Sequence, residues 1–154
     1  QVLGKGSKRR SVPLGQAAVR RRGSDVSLIS YAKTVDVCLQ AAQGLADQGI
    51  SAEVIDLRTL KPLDEATILA SVRKTGRAVI VHEAAGPCGV GAEIAALLAD
   101  QAFEQLRAPL RRVTGPDAPA ASSWVLEQAG VPSAAAVSAV VRQQLGVGEA
   151  VAAL

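Results

Sequence analysis

Aromatic side chains are nearly missing from this chain of 154 residues, which holds one Tyr, one Phe and one Trp. Single-strand nucleic-acid surfaces stack bases on aromatic platforms, so that class of partner is not expected. Histidine occurs once, at His82, and cysteine twice, at Cys38 and Cys88. Two cysteines so far apart make no metal-ligand spacing, and they read as reduced thiols of a cytoplasmic protein. No apolar run approaches the roughly 18 residues needed to cross a bilayer, so no membrane span is expected. The charged amino terminus is not followed by an apolar block, so no secretory signal is expected either. Gln1 in place of Met is what a trimmed or truncated chain would show, and the reading leaves open whether the sequence is a fragment or a natural stand-alone protein.

What is present is a hydrophobic share of 49% with 20% charged residues, enough to build one ordinary core. The formal charge of +3 hides an asymmetry. Residues 1–22 carry seven basic side chains and no acid, whereas the other 132 carry ten basic against fourteen acidic. The expectation is a basic arm or linker over 1–22, a folded domain over 23–146, and a frayed Ala-rich tail over 147–154. The bland reading of the arm is a solvated linker; the sharper one is contact with phosphate or an acidic surface.

From Gly23 onward strand and helix signals alternate. Strands are expected over 25–31, 52–57, 78–81 and around 110–113. A first helix carries Val35, Leu39, Ala42 and Ala46 and is closed by Gly49. A second is capped by Asp64 and ended by Gly76, a third carries Ile94, Leu97, Leu98 and Ala102, and a last one starts at Ser133. Such alternation implies βαβ crossovers, hence an α/β fold of three layers around a mixed, mostly parallel sheet of about five strands.

Open α/β sheets bind ligands at the carboxyl ends of their strands, which points to Asp56 and Arg58 after one strand and His82 and Glu83 after another. Imidazole beside carboxylate suits acid–base chemistry. Neighbours on a strand point to opposite faces, however, so a polar loop mouth or subunit contact is the favoured reading of that pair. The loop Gly86-Pro87-Cys88-Gly89-Val90-Gly91 precedes a helix. It lacks the third glycine of a dinucleotide fingerprint and the Lys-Ser/Thr of a P-loop, and Glu93 opposes an anion there. Cys88 lies near that helix start, with no certain base beside it. A small enzyme using His82, Glu83 and Cys88 is one rival reading.

Four blocks carry a family resemblance: VPLGQAAVRRRGSDVSLISY (12–31), SAEVIDLRTLKPLDEATI (51–68), VIVHEAAGPCGVGAEIAA (79–96) and LRRVTGPDAP (110–119). In order and spacing they resemble the carboxyl-terminal domain of transketolase-like proteins. They are most similar to the beta subunit of thiamine-dependent 2-oxo acid dehydrogenases of the pyruvate or branched-chain type. The resemblance implies a domain that is not catalytic by itself and whose chain holds no cofactor or metal site. The assembled enzyme would use thiamine diphosphate with Mg. Implied partners are an alpha subunit and a second beta subunit, with an acyltransferase core subunit as a further one. Asp56, Arg58, His82, Glu83 and Arg107 become candidate interface or loop-mouth residues. The sequence departs from the family pattern at Ala32, where members commonly have Gly, at Ala120, where an aromatic is common, and at Arg107, where an acid is common. A reversed charge at Arg107 would weaken docking onto a basic acyltransferase patch. The alternative is a stand-alone interaction or oligomerisation module derived from the same domain.

Overall fold

The computed structural model describes residues 12–119 and 121–147. Five strands form one mixed sheet in the order β1-β3-β2-β4-β5. They are β1 (Ala18–Arg21), β2 (Val26–Ser30), β3 (Ala52–Asp56), β4 (Ala78–Ala85) and β5 (Arg111–Gly115). Strands β3, β2, β4 and β5 run parallel, and β1 joins β3 antiparallel at the edge. The helices are α1 (Thr34–Ala46), α2 (Glu65–Thr75), α3 (Val90–Gln101), α4 (Trp124–Gly130) and α5 (Ala134–Leu145).

The two-residue period of the strands splits the core in two. Val26, Leu28, Val54, Val79 and Val81 face α1 and α5, which bring Cys38, Leu45, Val137 and Val141. Ile29, Ile55 and Ile80 point the other way, against Ile68 and Val72 of α2 and Ile94 and Leu98 of α3. Strands β2 and β4 are buried on both faces, which is why they read as near-continuous apolar runs. This is the expected three-layer α/β arrangement.

Helix boundaries follow local chemistry. The Asp64 carboxylate accepts from Thr67 N at 3.1 Å and caps α2, and Gly76 ends it in the left-handed region at φ +69. Ser133 caps α5 by accepting from Ala136 N, and Gly146 ends it at φ +67. Helix α1 stops at Ala46 with Asp47 as its cap; Gly49, at φ +77, turns the chain two residues later than a true cap would. Ala32 takes φ +52, where glycine, the residue common in the resembling family, meets no Cβ penalty.

Three features differ from the sequence reading. Residues 18–21, assigned to the basic arm, form β1, so the folded unit begins before residue 23. The rest of the arm through residue 11, and the tail from 148, lie outside the described residues. Strand β4 runs four residues past Val81 because Gly115 of β5 lets the Glu83 carbonyl approach closer than 3.0 Å to where a Cβ would stand. Helix α4 is not among the elements expected from the sequence. The span Trp124–Leu145 reaches a mean hydropathy of 1.2, but Val131, Pro132 and Ser133 divide it into α4 and α5. Among the described residues neither helix approaches the roughly 20 residues that span a bilayer.

Candidate functional site

The parallel strands deliver their carboxyl ends to one side of the molecule, and the candidate residues are distributed around it. His82 lies on β4 on the face shared with α2 and α3, paired in register with Thr114 of β5. Its side chain is fully buried, and neither ring nitrogen makes a well-formed hydrogen bond, the Ala84 backbone being the polar group that acts on it. The ring stacks on Tyr31 at a centroid distance of 6.0 Å. The first turn of α3 closes over it: a Cβ on Gly91 would stand closer than 3.0 Å to Nε2 and Cδ2, and one on Gly89 would lie 2.9 Å from Cε1. Those two glycines serve close helix–strand contact.

Burial holds the His82 pKa below its ordinary 6.5, and the Arg112 guanidinium acts in the same direction against the Ala84 backbone. The folded state therefore binds fewer protons than the unfolded chain once pH drops below about 6.5. Stability contributed by this neutral ring is present above that pH and lost below it. The thermal midpoint is expected to decline already between about pH 7 and pH 5, and His82→Gln to flatten that interval. A wild-type midpoint level across this range would remove the assignment.

Glu83, the next residue, points to the opposite face, as strand geometry required. It is exposed and lines a cleft of about 450 Å³ with Lys33, Pro116, Leu126 and Glu127. Helix α4 forms the outer wall. Lys33 holds it there, donating to Gln128 Oε1 at 3.1 Å and lying 6.0 Å from the Trp124 ring centroid. Cys88 is exposed in the loop before α3 at φ +55. With both His82 nitrogens unpaired and Glu83 on the far face, His82, Glu83 and Cys88 are not assembled into an acid–base or nucleophilic set. Cys38 is buried in the α1 core and its thiol is pushed up to about 12 by desolvation.

Asp56 and Arg58 occupy a second place, separated from β4 by β2 and so by two strand spacings, roughly 10 Å. The Asp56 carboxylate accepts from Arg20 Nη1 at 3.2 Å, fastening β1 to β3, and from Arg58 N at 3.1 Å. That second bond accompanies the left-handed φ +59 of Arg58, whose side chain is exposed. Arg107 occupies a third place, at the amino end of the sheet. Its N–H donates to Gly76 O at 2.7 Å, and its aliphatic stem covers Gly76, where a Cβ would stand 2.8 Å from Cγ and Cδ. The five candidates are thus divided among three locations.

Sequence reasoning missed Lys33 and α4, the parts that make the cleft. It also missed a buried polar network beneath the sheet. Glu53 is 3% exposed and accepts from Ser71 Oγ at 2.6 Å, from Lys74 Nζ and from Gly23 N. Ser27 Oγ extends it to Ser71 and Thr75 at 2.6 and 2.8 Å. A charged residue between Ala52 and Val54 was the available signal.

Magnesium bound to a diphosphate requires clustered oxygen ligands. Among the described residues no three His, Cys, Asp or Glu side chains group in that way, and Glu83 and Glu127 share their cleft with Lys33. This donor set does not fit thiamine diphosphate with Mg.

Residues 15–137 match the family described as Transketolase, C-terminal domain. The chain is 45% identical over 123 residues to acetoin:2,6-dichlorophenolindophenol oxidoreductase subunit beta of Bacillus subtilis (strain 168), covering 80% of this chain and 36% of that protein. It is 46% identical over 118 residues to the mitochondrial pyruvate dehydrogenase E1 component subunit beta of Dictyostelium discoideum, covering 77% of this chain and 33% of that one. The chain spans about a third of the length of the curated relatives it matches. A solved structure described as split gene transketolase, inactive beta4 tetramer, superposes with a TM-score of 0.77 at 27% identity, covering 90% of this chain and 45% of the other. With its five-stranded mixed sheet and this match over most of its length, the chain belongs to the transketolase C-terminal domain family and resembles the carboxyl-terminal region of dehydrogenase E1 beta subunits.

Proposed function

We propose that this chain is the carboxyl-terminal assembly domain of the beta subunit of a cytoplasmic 2-oxo acid dehydrogenase. The enzyme would decarboxylate a 2-oxo acid on thiamine diphosphate and pass the acyl group to lipoyl groups. This domain supplies subunit contacts, and the cofactor-binding groups come from elsewhere in the assembled enzyme. The partners are an alpha subunit and a second beta subunit, with an acyltransferase core as a further one.

The observation that carries this reading is where the exposed apolar side chains lie. Six of the nine large hydrophobics exposed among the described residues are at the carboxyl end of the sheet. Trp124, Val125 and Leu126 on α4 are 70%, 73% and 64% exposed. Val12, Leu14 and Leu60 accompany them around the loop after β3, where Gly15 N donates to Thr59 Oγ1. Uncovered apolar side chains at one end of the sheet suit a protein contact. The family match directs it to beta-subunit assembly.

The test is a chimera in which residues 12–147 replace the corresponding part of the Bacillus subtilis relative's beta subunit. It is expected to associate with the partner subunit and keep turnover. Trp124→Asp with Leu126→Asp is expected to weaken association by about tenfold or more, the loss typical of a removed apolar anchor. A soluble chimera that remains apart from its partner subunit would favour the stand-alone interaction module instead.

A further inference from the structure

We infer that the groove beside Phe103, at the amino end of the sheet, docks an acidic peptide segment of another protein through one large apolar residue and the carboxylates next to it. The groove lies at the opposite end of the sheet from the α4 cleft, and the inference stands apart from the assembly reading above.

The groove follows from where α3 stops. The stripe that this helix buries runs through Ile94, Leu98 and Ala102, each four residues from the next. Ala99 and Phe103 stand one position off that stripe and one turn apart, so both face outward. A single 3₁₀ turn over Phe103–Gln105 then bends the chain, closed by Leu106 N donating to Phe103 O at 3.1 Å. Phe103 is left 70% exposed, while Leu106 and Leu110 pack partly buried against the α2/α3 core. Together with Ala99, Ala108 and Pro109 they line a groove of about 690 Å³. Its walls are held by neighbouring elements: Arg107 N donates to Gly76 O, and Pro109 O accepts from Gln144 Nε2, both at 2.7 Å. An apolar groove with fixed walls suits a single apolar anchor.

Charge selects the partner. Arg107 and Glu104 line the same groove. Leu110 also borders a polar cleft of about 310 Å³ that carries Arg111 and Arg112, so the apolar groove continues into a basic one. Three arginines thus stand against one glutamate along the combined surface. None of the three is in an ion pair, for among the described residues the ion pairs are Arg20–Asp56 and Lys74–Glu53. Arg112 Nη1 donates to Gly86 O at 2.8 Å, which holds that guanidinium at the cleft. Guanidinium groups receive carboxylates in paired, charge-assisted bonds, whereas a basic segment would meet like charge here. The segment that fits carries one Leu or Phe for the groove with Asp or Glu beside it.

The probe is a fluorescein-labelled peptide, Glu-Asp-Glu-Leu-Phe-Glu-Asp-Glu, titrated with the full 154-residue chain at neutral pH and followed by fluorescence anisotropy. Saturation is expected with a Kd on the order of 10–100 μM that rises with salt. The deciding comparison replaces Leu-Phe of the peptide by Ala-Ala, because the seven basic side chains of residues 1–22 would attract its charge with or without an anchor. That replacement is expected to weaken binding about tenfold. Phe103→Ala and Arg111→Glu should each do the same, and a peptide with Lys in place of every acid should not bind. Both substituted positions are exposed, and far-UV circular dichroism checks that the variants fold. Absence of saturation, binding indifferent to the Ala-Ala replacement, or binding unchanged in folded Phe103→Ala and Arg111→Glu overturns the inference. So does a dimer of the chain alone that Phe103→Ala dissociates, since a second copy would then be the occupant.

Discussion

Gly23→Ala is expected to lower the thermal unfolding midpoint by about 10 °C, equivalent to about 3 kcal/mol in a domain of this size. Gly23 joins β1 to β2 where the chain presses against β3. A Cβ there would stand 2.6 Å from Ala52 O and closer than 3.0 Å to Ala52 C and Glu53 N. All three atoms are backbone, so no side-chain rotation relieves the overlap. The connection would have to lift from β3, taking with it the bond from Gly23 N to Glu53 Oε2 at 3.3 Å. Gly44 supplies the control. It lies within α1 with nothing inside 4 Å of a built Cβ, so Gly44→Ala should stabilise by about 0.5–1 kcal/mol through helix propensity. Circular-dichroism melts of both variants decide the matter; a Gly23→Ala midpoint within a degree of the parent would contradict this packing.

Glu53→Ala is expected to cost about 3 kcal/mol. The substitution removes the acceptor of Ser71 Oγ, leaves Gly23 N facing a vacancy, and opens a cavity in a site where Glu53 is 3% exposed. Lys74→Met removes only the counter-charge. The Lys74 side chain is 47% exposed, so solvent already screens the pair and the loss should be nearer 1 kcal/mol. Desolvation raises the Glu53 pKa, but Lys74, Ser71 and Gly23 together outweigh it and leave the value below its ordinary 4.5. The stability this carboxylate contributes is therefore complete above pH 4.5 and lost as pH falls through and below it. That window lies under the one belonging to His82, so the two limbs can be separated in one urea-unfolding series against pH. Equal losses from the Glu53 and Lys74 variants would mean that the charge pair, rather than the hydrogen-bonded acceptor, dominates.

The strands that sequence reveals best are those buried on both faces. Val-Ser-Leu-Ile-Ser of β2 and Ala-Val-Ile-Val at the start of β4 carry enough apolar area to declare themselves without a partner in view. The caps at Asp64, Gly76, Ser133 and Gly146 are equally local, because each needs only its own turn. Strand β1 is different. Its four residues, Ala-Val-Arg-Arg, include two half-buried and two exposed positions, and they become a strand through β3's free edge and the Arg20–Asp56 bond. Composition assigned them to a basic arm because charge is all that the segment displays by itself.

Helix α4 failed for a related reason. It buries none of its own residues, and Lys33, about ninety positions earlier, helps hold it at the mouth of the sheet. Of the candidate site, the opposite directions of His82 and Glu83 followed from the strand period alone. The placement of Arg107 on Gly76, at the far end of the sheet from Asp56 and Arg58, did not. Nor did the meeting of Arg112 and Thr114 with Gly86, since these residues become neighbours only through the β4–β5 register.

By itself, then, the sequence determined the alternation of strand and helix, the two-sided burial of the central strands and the family, each resting on short-range periodicity or on ordered motif blocks. The tertiary structure decided which polar groups share a face, which end of the sheet each candidate occupies, and which apolar side chains remain uncovered. Those outcomes depend on strand order and register, where a shift of one residue exchanges the faces of every side chain, and no local stretch of the chain encodes that choice.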